Sequence, residues 1–403
     1  MRAGEAPPTS GLAPRFADLF ARGDLAGLER AIAEYAGTSA AILTCSGTAA
    51  LFIALEYLKR DSPARTVVVP AYTCPLVVFS ARRAGLQVIA CDTVKGGLDL
   101  DLDHLGQLAG KDTLAVVPTH YGGALTGVAA VRAAVRLLAP GAAIVEDAAQ
   151  AFGARVGGMA AGLAGDIGFY SFAAGKGLTL YEGGALVARD PSLIANLRTI
   201  ADETVPDNPA FELRRSFEFA AYHCFYNPLG LRWSYGIPRR FWLACKDEVR
   251  AASDHFSEPI PIHRVSAWRA GVATAALGRY REHLAATRRR FGELSEMLGA
   301  IPDIDVHRPR PLFEPTGTFV FVTFSSQQRC SRALGLLWRS RFGVSKLFAH
   351  AIPDYPYLAG KVTPSETPNA RDFAGRTLTV TTSPMLTPTS VEHIVRAIAA
   401  AAA

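Results

Sequence analysis

Cysteine is scarce in this chain: six residues in 403, at positions 45, 74, 91, 224, 245 and 330. No two form a Cys-x-x-Cys pair, so neither a disulfide scaffold nor a zinc ribbon is expected. Charge is sparse too. Lys, Arg, Asp and Glu make up 19% of the residues and leave a net charge of +6. So small and dispersed an excess supplies no basic stripe, and no nucleic-acid partner is expected. No uninterrupted apolar run reaches the ~18 residues of a membrane span. The opening MRAGEAPPTSGLAP has Pro and Gly where a secretion signal needs an apolar stretch, so no export leader is expected. Free thiols suit a reducing compartment, and the expected location is cytoplasmic. Apolar residues, by contrast, make up 49% of the chain, which excludes a disordered protein. The length calls for more than one core.

The pattern of the chain divides it into a disordered tail at 1–13, a large domain at 14–204, an aromatic- and Arg-rich insertion at 205–260, and a smaller C-terminal α+β domain at 261–403. Helical spacing of apolar residues predicts an amphipathic helix over Phe16–Tyr35. Short apolar runs follow at 40–45, 66–70, 86–91, 113–118 and 142–147, with helix-like stretches at 47–60, 75–85, 100–110 and 127–138 between them. Strands without polar alternation, separated by helices, predict a mostly parallel sheet covered on both faces. The fold class is α/β. GFYSF and GALVAR add two strands near the end of that sheet. A long helical run starts near Arg264. GTFVFVTF and LTVTT are strands of the second domain, with helices near 328–341 and at the C-terminus.

Ligands of open parallel sheets bind beyond the carboxyl ends of the strands. After the first strand comes Ser46-Gly47-Thr48-Ala49, small residues that open a helix and suit either an anion or close packing. After the fourth comes Thr119-His120-Tyr121-Gly122-Gly123, where His120 serves either a ligand or a loop carbonyl. The fifth ends in Glu146-Asp147, costly to bury unless a cation faces it, or else a helix cap. Lys176 lies in a Gly- and Ala-lined loop after Ser171; if buried, it becomes a nucleophile toward carbonyls, and if exposed it is an ordinary surface charge. A phosphate cradle, an Asp at a strand end and a Lys some thirty residues on form the set that pyridoxal phosphate requires.

These motifs resemble the DegT-type family of sugar aminotransferases, fold-type I enzymes dependent on pyridoxal 5'-phosphate. The resemblance rests on SGTAAL (46–51), VVPAYTC (68–74), VVPTHYGG (116–123), VEDAAQAFGA (145–154), AGDIGFYSF followed by Lys176, and EGGALV (182–187). It implies a large cofactor-binding domain and a small C-terminal domain. It implies that Lys176 bears the cofactor and that Asp147 partners the pyridine nitrogen. The implied cofactor-binding set is Gly47, Thr48, Ala49, Tyr72, Cys74, Asp147, Gln150, Ser171 and Lys176. Lys176 also separates the chain from the related dehydratases, which carry His there. Cys74 stands where the family has an aromatic residue that stacks on the cofactor, so stacking there is either weakened or taken over by Tyr72. Ile262-His263-Arg264 stands where the family has Asn-x-Arg, so Arg264 is the residue expected to reach a neighbouring subunit.

The implied activity is transfer of an amino group from glutamate or glutamine to a keto-sugar, nucleotide- or lipid-linked, by a homodimer. The alternatives are a pyridoxal phosphate enzyme acting on a non-sugar ketone or an amino acid, and a binding or regulatory protein of the same fold. Between Phe211 and Trp242, aromatic residues alternate with Arg214, Arg215, Arg232, Arg239 and Arg240. Three readings fit this stretch: packing into a dimer or domain interface, a surface for an amphiphilic substrate or a membrane, and an aromatic wall for a ring-bearing substrate. His120, Arg264, Arg239 and Arg240 are the candidate substrate contacts, the last two for an anionic partner.

Overall fold

The computed structural model describes residues 4–403. Helix α1 (Leu25–Ala36) leads into an alternation of strands and helices: β1 (Ala41–Thr44), α2 (Gly47–Arg60), β2 (Thr66–Pro70), α3 (Leu76–Arg83), β3 (Gln87–Cys91), α4 (Leu102–Leu108), β4 (Thr113–Val116), α5 (Val128–Leu138) and β5 (Ala143–Asp147). A two-residue ribbon, β6 (Arg155–Val156) and β7 (Met159–Ala160), precedes β8 (Ile167–Ser171), β9 (Gly184–Val187) and α6 (Pro191–Thr204). The seven-stranded sheet runs β1-β9-β8-β5-β4-β2-β3, with only β9 antiparallel to its neighbours. Its strands are largely apolar and mostly buried because helices cover both faces. Parallel strands carry all their carboxyl ends to one edge, and the residues following β1, β2, β4, β5 and β8 converge there.

The insertion is helical: α7 (Pro209–Phe225), α8 (Pro228–Leu231), a π turn at Arg232–Gly236, α9 (Ile237–Ala244) and α10 (Glu248–Ala251). A buried two-pronged ion pair ties it to the rest, Glu212 accepting from Arg269 at 2.7 and 2.6 Å. The expected long helix is two, α11 (Ala267–Leu277) and α12 (Tyr280–Gly299). Between them Arg279 turns aside to grip Asp18 at 2.8 and 2.6 Å. Ala270 and Ala273 of α11 belong to the core of the large sheet. The second core begins in α12 with Phe291, Leu294 and Leu298. It lies against a sheet of order β10-β11-β13-β12 (β10 Ile304–Val306, β11 Phe319–Phe324, β13 Thr377–Thr381, β12 Val344–Ser345). No helix among the described residues is long and apolar enough to cross a membrane.

Two expectations near the N-terminus are corrected. The helix over Phe16–Tyr35 is a 3-10 turn, Phe16–Phe20, followed by α1, because Asp24 caps α1 by accepting from Gly27 N–H. The tail is not free: residues 1–3 lie outside the described residues, but 4–13 are strapped across the molecule. Glu5 N–H donates to Pro228 O, Ala6 N–H to Arg341 O, Ser10 N–H to Thr318 O and Leu12 N–H to Gly177 O. The cause is electrostatic. The Glu5 carboxylate, fully buried, accepts from Arg239 at 2.6 Å and from Arg240 at 3.0 Å. Arg239 is itself buried, donating also to Ser340 O and lying over the Tyr235 ring. Replacing Glu5 by Ala leaves that guanidinium buried without its counter-ion. Glu5→Ala is expected to cost about 3–5 kcal/mol in equilibrium denaturant unfolding, far more than loss of a free tail would.

Candidate active site

The carboxyl edge of the sheet opens into a cavity of about 360 Å3. Gly47, Thr48, Cys74, His120, Asp147, Gln150, Ser171 and Lys176 all line it. Its floor is set by the start of α2. Ser46 caps that helix by accepting from Ala49 N–H at 3.0 Å, leaving the earlier amides uncommitted. Gly47 is there because of space: a Cβ would lie 2.9 Å from Ser171 Cβ. The helix N-terminus is thus pressed against the end of β8.

β5 delivers both of its acids, to opposite sides. Glu146 points away from the cavity and accepts from the N–H groups of Gly162, Ala164 and Gly165 at 2.5–2.7 Å, and from His120 Nε2 at 2.7 Å. Burial pushes its pKa up, but the His120 bond and these amides outweigh that and hold the carboxyl below its ordinary value. His120 Nδ1 accepts from Thr126 N–H at 3.1 Å, so the proton sits on Nε2. Both ring nitrogens are therefore engaged by protein. His120 lines the cavity but has no nitrogen left for a substrate, which corrects its expected role.

Asp147 faces the cavity. Burial raises its carboxyl to about 6, against the opposing pull of Ala149 N–H, Lys176 and His120. Burial lowers the Lys176 amine, with Cys74 and Asp147 opposing. The loop bearing Lys176 turns at Gly175, whose φ of +79° disfavours any side chain. That residue is clamped from two remote segments. Its C=O accepts from Thr9 Oγ1 at 2.6 Å, and its N–H donates to Tyr222 Oη at 3.2 Å. The strap and the insertion together therefore fix the residue preceding Lys176.

Three further expectations are corrected. Tyr72 lies outside the cavity, its ring packed edge-on to Phe348 and Phe373 at 5.3 and 5.0 Å, while Cys74 faces in. Ala49 spends its N–H on the Ser46 cap. Arg239 and Arg240 are held by Glu5, away from the cavity. Arg264, expected to reach a neighbouring subunit, lies outside its own chain's cavity, half-exposed and paired with Asp202 and Asp207.

Profile comparison matches residues 20–214 to the DegT/DnrJ/EryC1/StrS aminotransferase family. The match covers just under half of the chain, and over that stretch the chain is similar to the family. Among its curated relatives is the dTDP-4-dehydro-2,3,6-trideoxy-D-glucose 4-aminotransferase of Saccharopolyspora spinosa, 32% identical over 42% of this chain and 44% of its own. GDP-perosamine synthase of Caulobacter vibrioides is 31% identical over 45% of this chain and 48% of its own. The chain thus spans about half the length of these curated relatives. The 3-amino-5-hydroxybenzoate synthase of Amycolatopsis mediterranei matches further, 27% identical over 68% of this chain and 60% of its own. Among solved structures, the sugar aminotransferase CalS13 of Micromonospora echinospora superposes with a TM-score of 0.74 at 19% identity, covering 98% of this chain and 100% of that one. This likeness establishes the fold over almost the whole length.

The DegT/DnrJ/EryC1/StrS motifs revealed the strand-end residues but not what the rest of the chain brings to them. Pro8 and Thr9 of the strap, Asp254 near the end of the insertion, and Thr316, Thr318 and Lys346 of the small domain also line the cavity. None stands in a periodic or spaced pattern. Asp254 is the most consequential: burial raises its carboxyl to about 7, with Ala349 N–H and Tyr355 Oη opposing as donors.

Two outcomes follow from these contacts. Tyr222→Phe removes the acceptor of Gly175 N–H and is expected to cost about 1 kcal/mol in denaturant unfolding. The folded chain raises Asp147 above its ordinary 3.8, so its protonated form stabilises the cofactor-free fold at low pH. That contribution is lost as pH rises from 3.8 through about 6. Cofactor-free Asp147→Asn should gain on the parent across that window, by about 3 kcal/mol in all, read from unfolding at each pH.

Proposed function

We propose that the chain is a pyridoxal phosphate-dependent aminotransferase. It moves an amino group from glutamate or glutamine to a keto-sugar, nucleotide- or lipid-linked. The observation that carries this reading is a single cavity in which a lysine amine of lowered pKa and a carboxyl of raised pKa stand beside an open helix N-terminus.

The residues present fit the cofactor. The first amides of α2, at Gly47 and Thr48, with Ser171 beside them, would hold its phosphate, since N–H groups and the helix dipole favour an anion there. Asp147 would keep its ring nitrogen protonated, and Gln150 would approach its phenolic oxygen. Cys74 and the fixed imidazole of His120 would border its ring. Bound there, the cofactor supplies an electron sink.

The chain's own part is proton handling and exclusion of water. The lowered pKa of Lys176 leaves more of its amine unprotonated near neutrality. Nζ is then able to attack a carbonyl carbon and, once released, to take and return a proton. Asp147 holds a negative charge that strengthens once a cation stands against it. Phe256, Phe319 and Phe348 wall the cavity and keep water from the reacting atoms.

The names of the Saccharopolyspora and Caulobacter relatives support a nucleotide-linked sugar as acceptor. The longer match to an aminohydroxybenzoate synthase favours a second reading, a non-sugar ketone. We read the assembly as a cytoplasmic homodimer in which Arg264, outside its own chain's cavity, serves the neighbouring subunit.

Borohydride reduction followed by intact-mass measurement tests the assignment. The parent should retain the cofactor covalently and Lys176→Ala should not, with transfer from glutamate falling about a thousandfold or more. Covalent retention in a folded Lys176→Ala chain would sink the reading. Nucleotide-linked keto-sugars, tried against non-sugar ketones as acceptors, separate the two readings of the substrate.

A further inference from the structure

We infer that the outer side of the insertion seats this protein on the surface of an anionic membrane. The helical insertion has two aspects. Its inner one is buried against the protein through Phe219, Tyr226, Leu231 and Arg239. Its outer one repeats every four residues from Leu213 to Phe241. Leu213, Phe217, Phe225, Leu229, Trp233 and Phe241 fall on that series, with Ile237, and Ala221 is its one small member. All seven large side chains are 40–69% exposed.

A straight α-helix would not keep such a series outward, because four residues overshoot one turn by about 40°. Two features reset the drift. The backbone leaves helical geometry at Tyr226 and Asn227, and the wider π turn at Arg232–Gly236 absorbs extra residues. The neighbouring 3-10 turn continues the texture: Phe16 and Phe20 are exposed, and the Phe16 ring lies 6.1 Å from that of His223 in α7.

Charge selects the occupant. Between 208 and 246 every exposed charged residue is cationic, namely Arg214, Arg232 and Lys246. The two acids of the stretch are engaged, Glu212 by Arg269 and Glu218 by Arg214 and Arg215. Arg15 and Arg22 are exposed beside Phe16 and Phe20. A second copy of this chain is a poor cover, because an isologous interface sets the same patch against itself and would bring cations to cations. An anionic lipid surface meets both needs. It takes aromatic and aliphatic side chains to the depth of the headgroups and attracts the surrounding Arg and Lys. The helices would lie on the membrane, since none is built to span it. The inference does not depend on the chemistry proposed for the cavity.

Co-sedimentation of the full chain with vesicles tests it. The parent should bind phosphatidylcholine vesicles that contain phosphatidylglycerol, bind pure phosphatidylcholine far less, and be released by salt. Its tryptophan emission should shift to the blue on binding, and Trp233→Phe should abolish most of that shift. Phe217→Ser, Trp233→Ser and Phe241→Ser together change only exposed positions. The triple variant should keep the parent's melting temperature yet bind about a hundredfold more weakly. Arg214→Gln with Arg232→Gln should lose the preference for phosphatidylglycerol. Equal vesicle binding by parent and triple variant would overturn the inference, as would no binding by the parent at low salt. So would a parent that ignores vesicles while light scattering shows the triple variant dissociating from a dimer to a monomer, which would make a second copy the occupant.

Discussion

An ion pair taken out of water tolerates no missing member, because either charge left alone costs several kcal/mol. The Glu5–Arg239 pair is of this kind, both side chains buried and 2.6 Å apart. It fixes the N-terminal strap, and the strap fixes the site. From Glu5 the strap crosses to Thr9, whose hydroxyl holds the carbonyl of Gly175. The insertion that supplies Arg239 also supplies Tyr222, which holds the amide of the same glycine. The lysine loop, which belongs to the large domain in sequence, is thus positioned by two segments that do not belong to that domain's sheet.

Within the cavity, one physical cause acts on two groups in opposite senses. Burial disfavours charge, so it pushes Asp147 up and Lys176 down, and their proximity restrains both shifts. Glu146, the adjacent residue on the same strand, experiences as much burial and ends below its ordinary value, because three amides and His120 converge on it. Two acids next to each other in sequence therefore differ in character through the parity of a strand and the contents of its two sides.

That contrast explains what the sequence made legible. Largely apolar strands without polar alternation, small residues opening α2, and Lys176 after Ser171 are local features, and local spacing carries them. Tyr72 and Cys74 are two apart, and spacing alone did not separate them: the turn after β2 sends the aromatic side chain to Phe348 and Phe373 and the thiol to the cavity. Arg239 looked like a ligand for an anion, and it is one, but the anion is Glu5, 234 residues away. No pattern marks such a pair, since a lone Glu among small residues and an Arg pair among aromatics carry no periodic signal. Asp254 escaped for the same reason.

The separation in sequence has a consequence for how the protein is made. Chains emerge from the ribosome at about 5–20 residues per second, and N-terminal segments generally fold first. Here the strap cannot. Glu5 waits for Arg239 and Ala6 for Arg341, so the strap stays loose for some tens of seconds while the large sheet forms without it. Contacts of such high order close last, after loop entropy has been lost elsewhere. The lysine loop accordingly acquires its final shape only after Arg239 and Arg341 have emerged, and the nascent large domain carries the right residues before it has the right pocket.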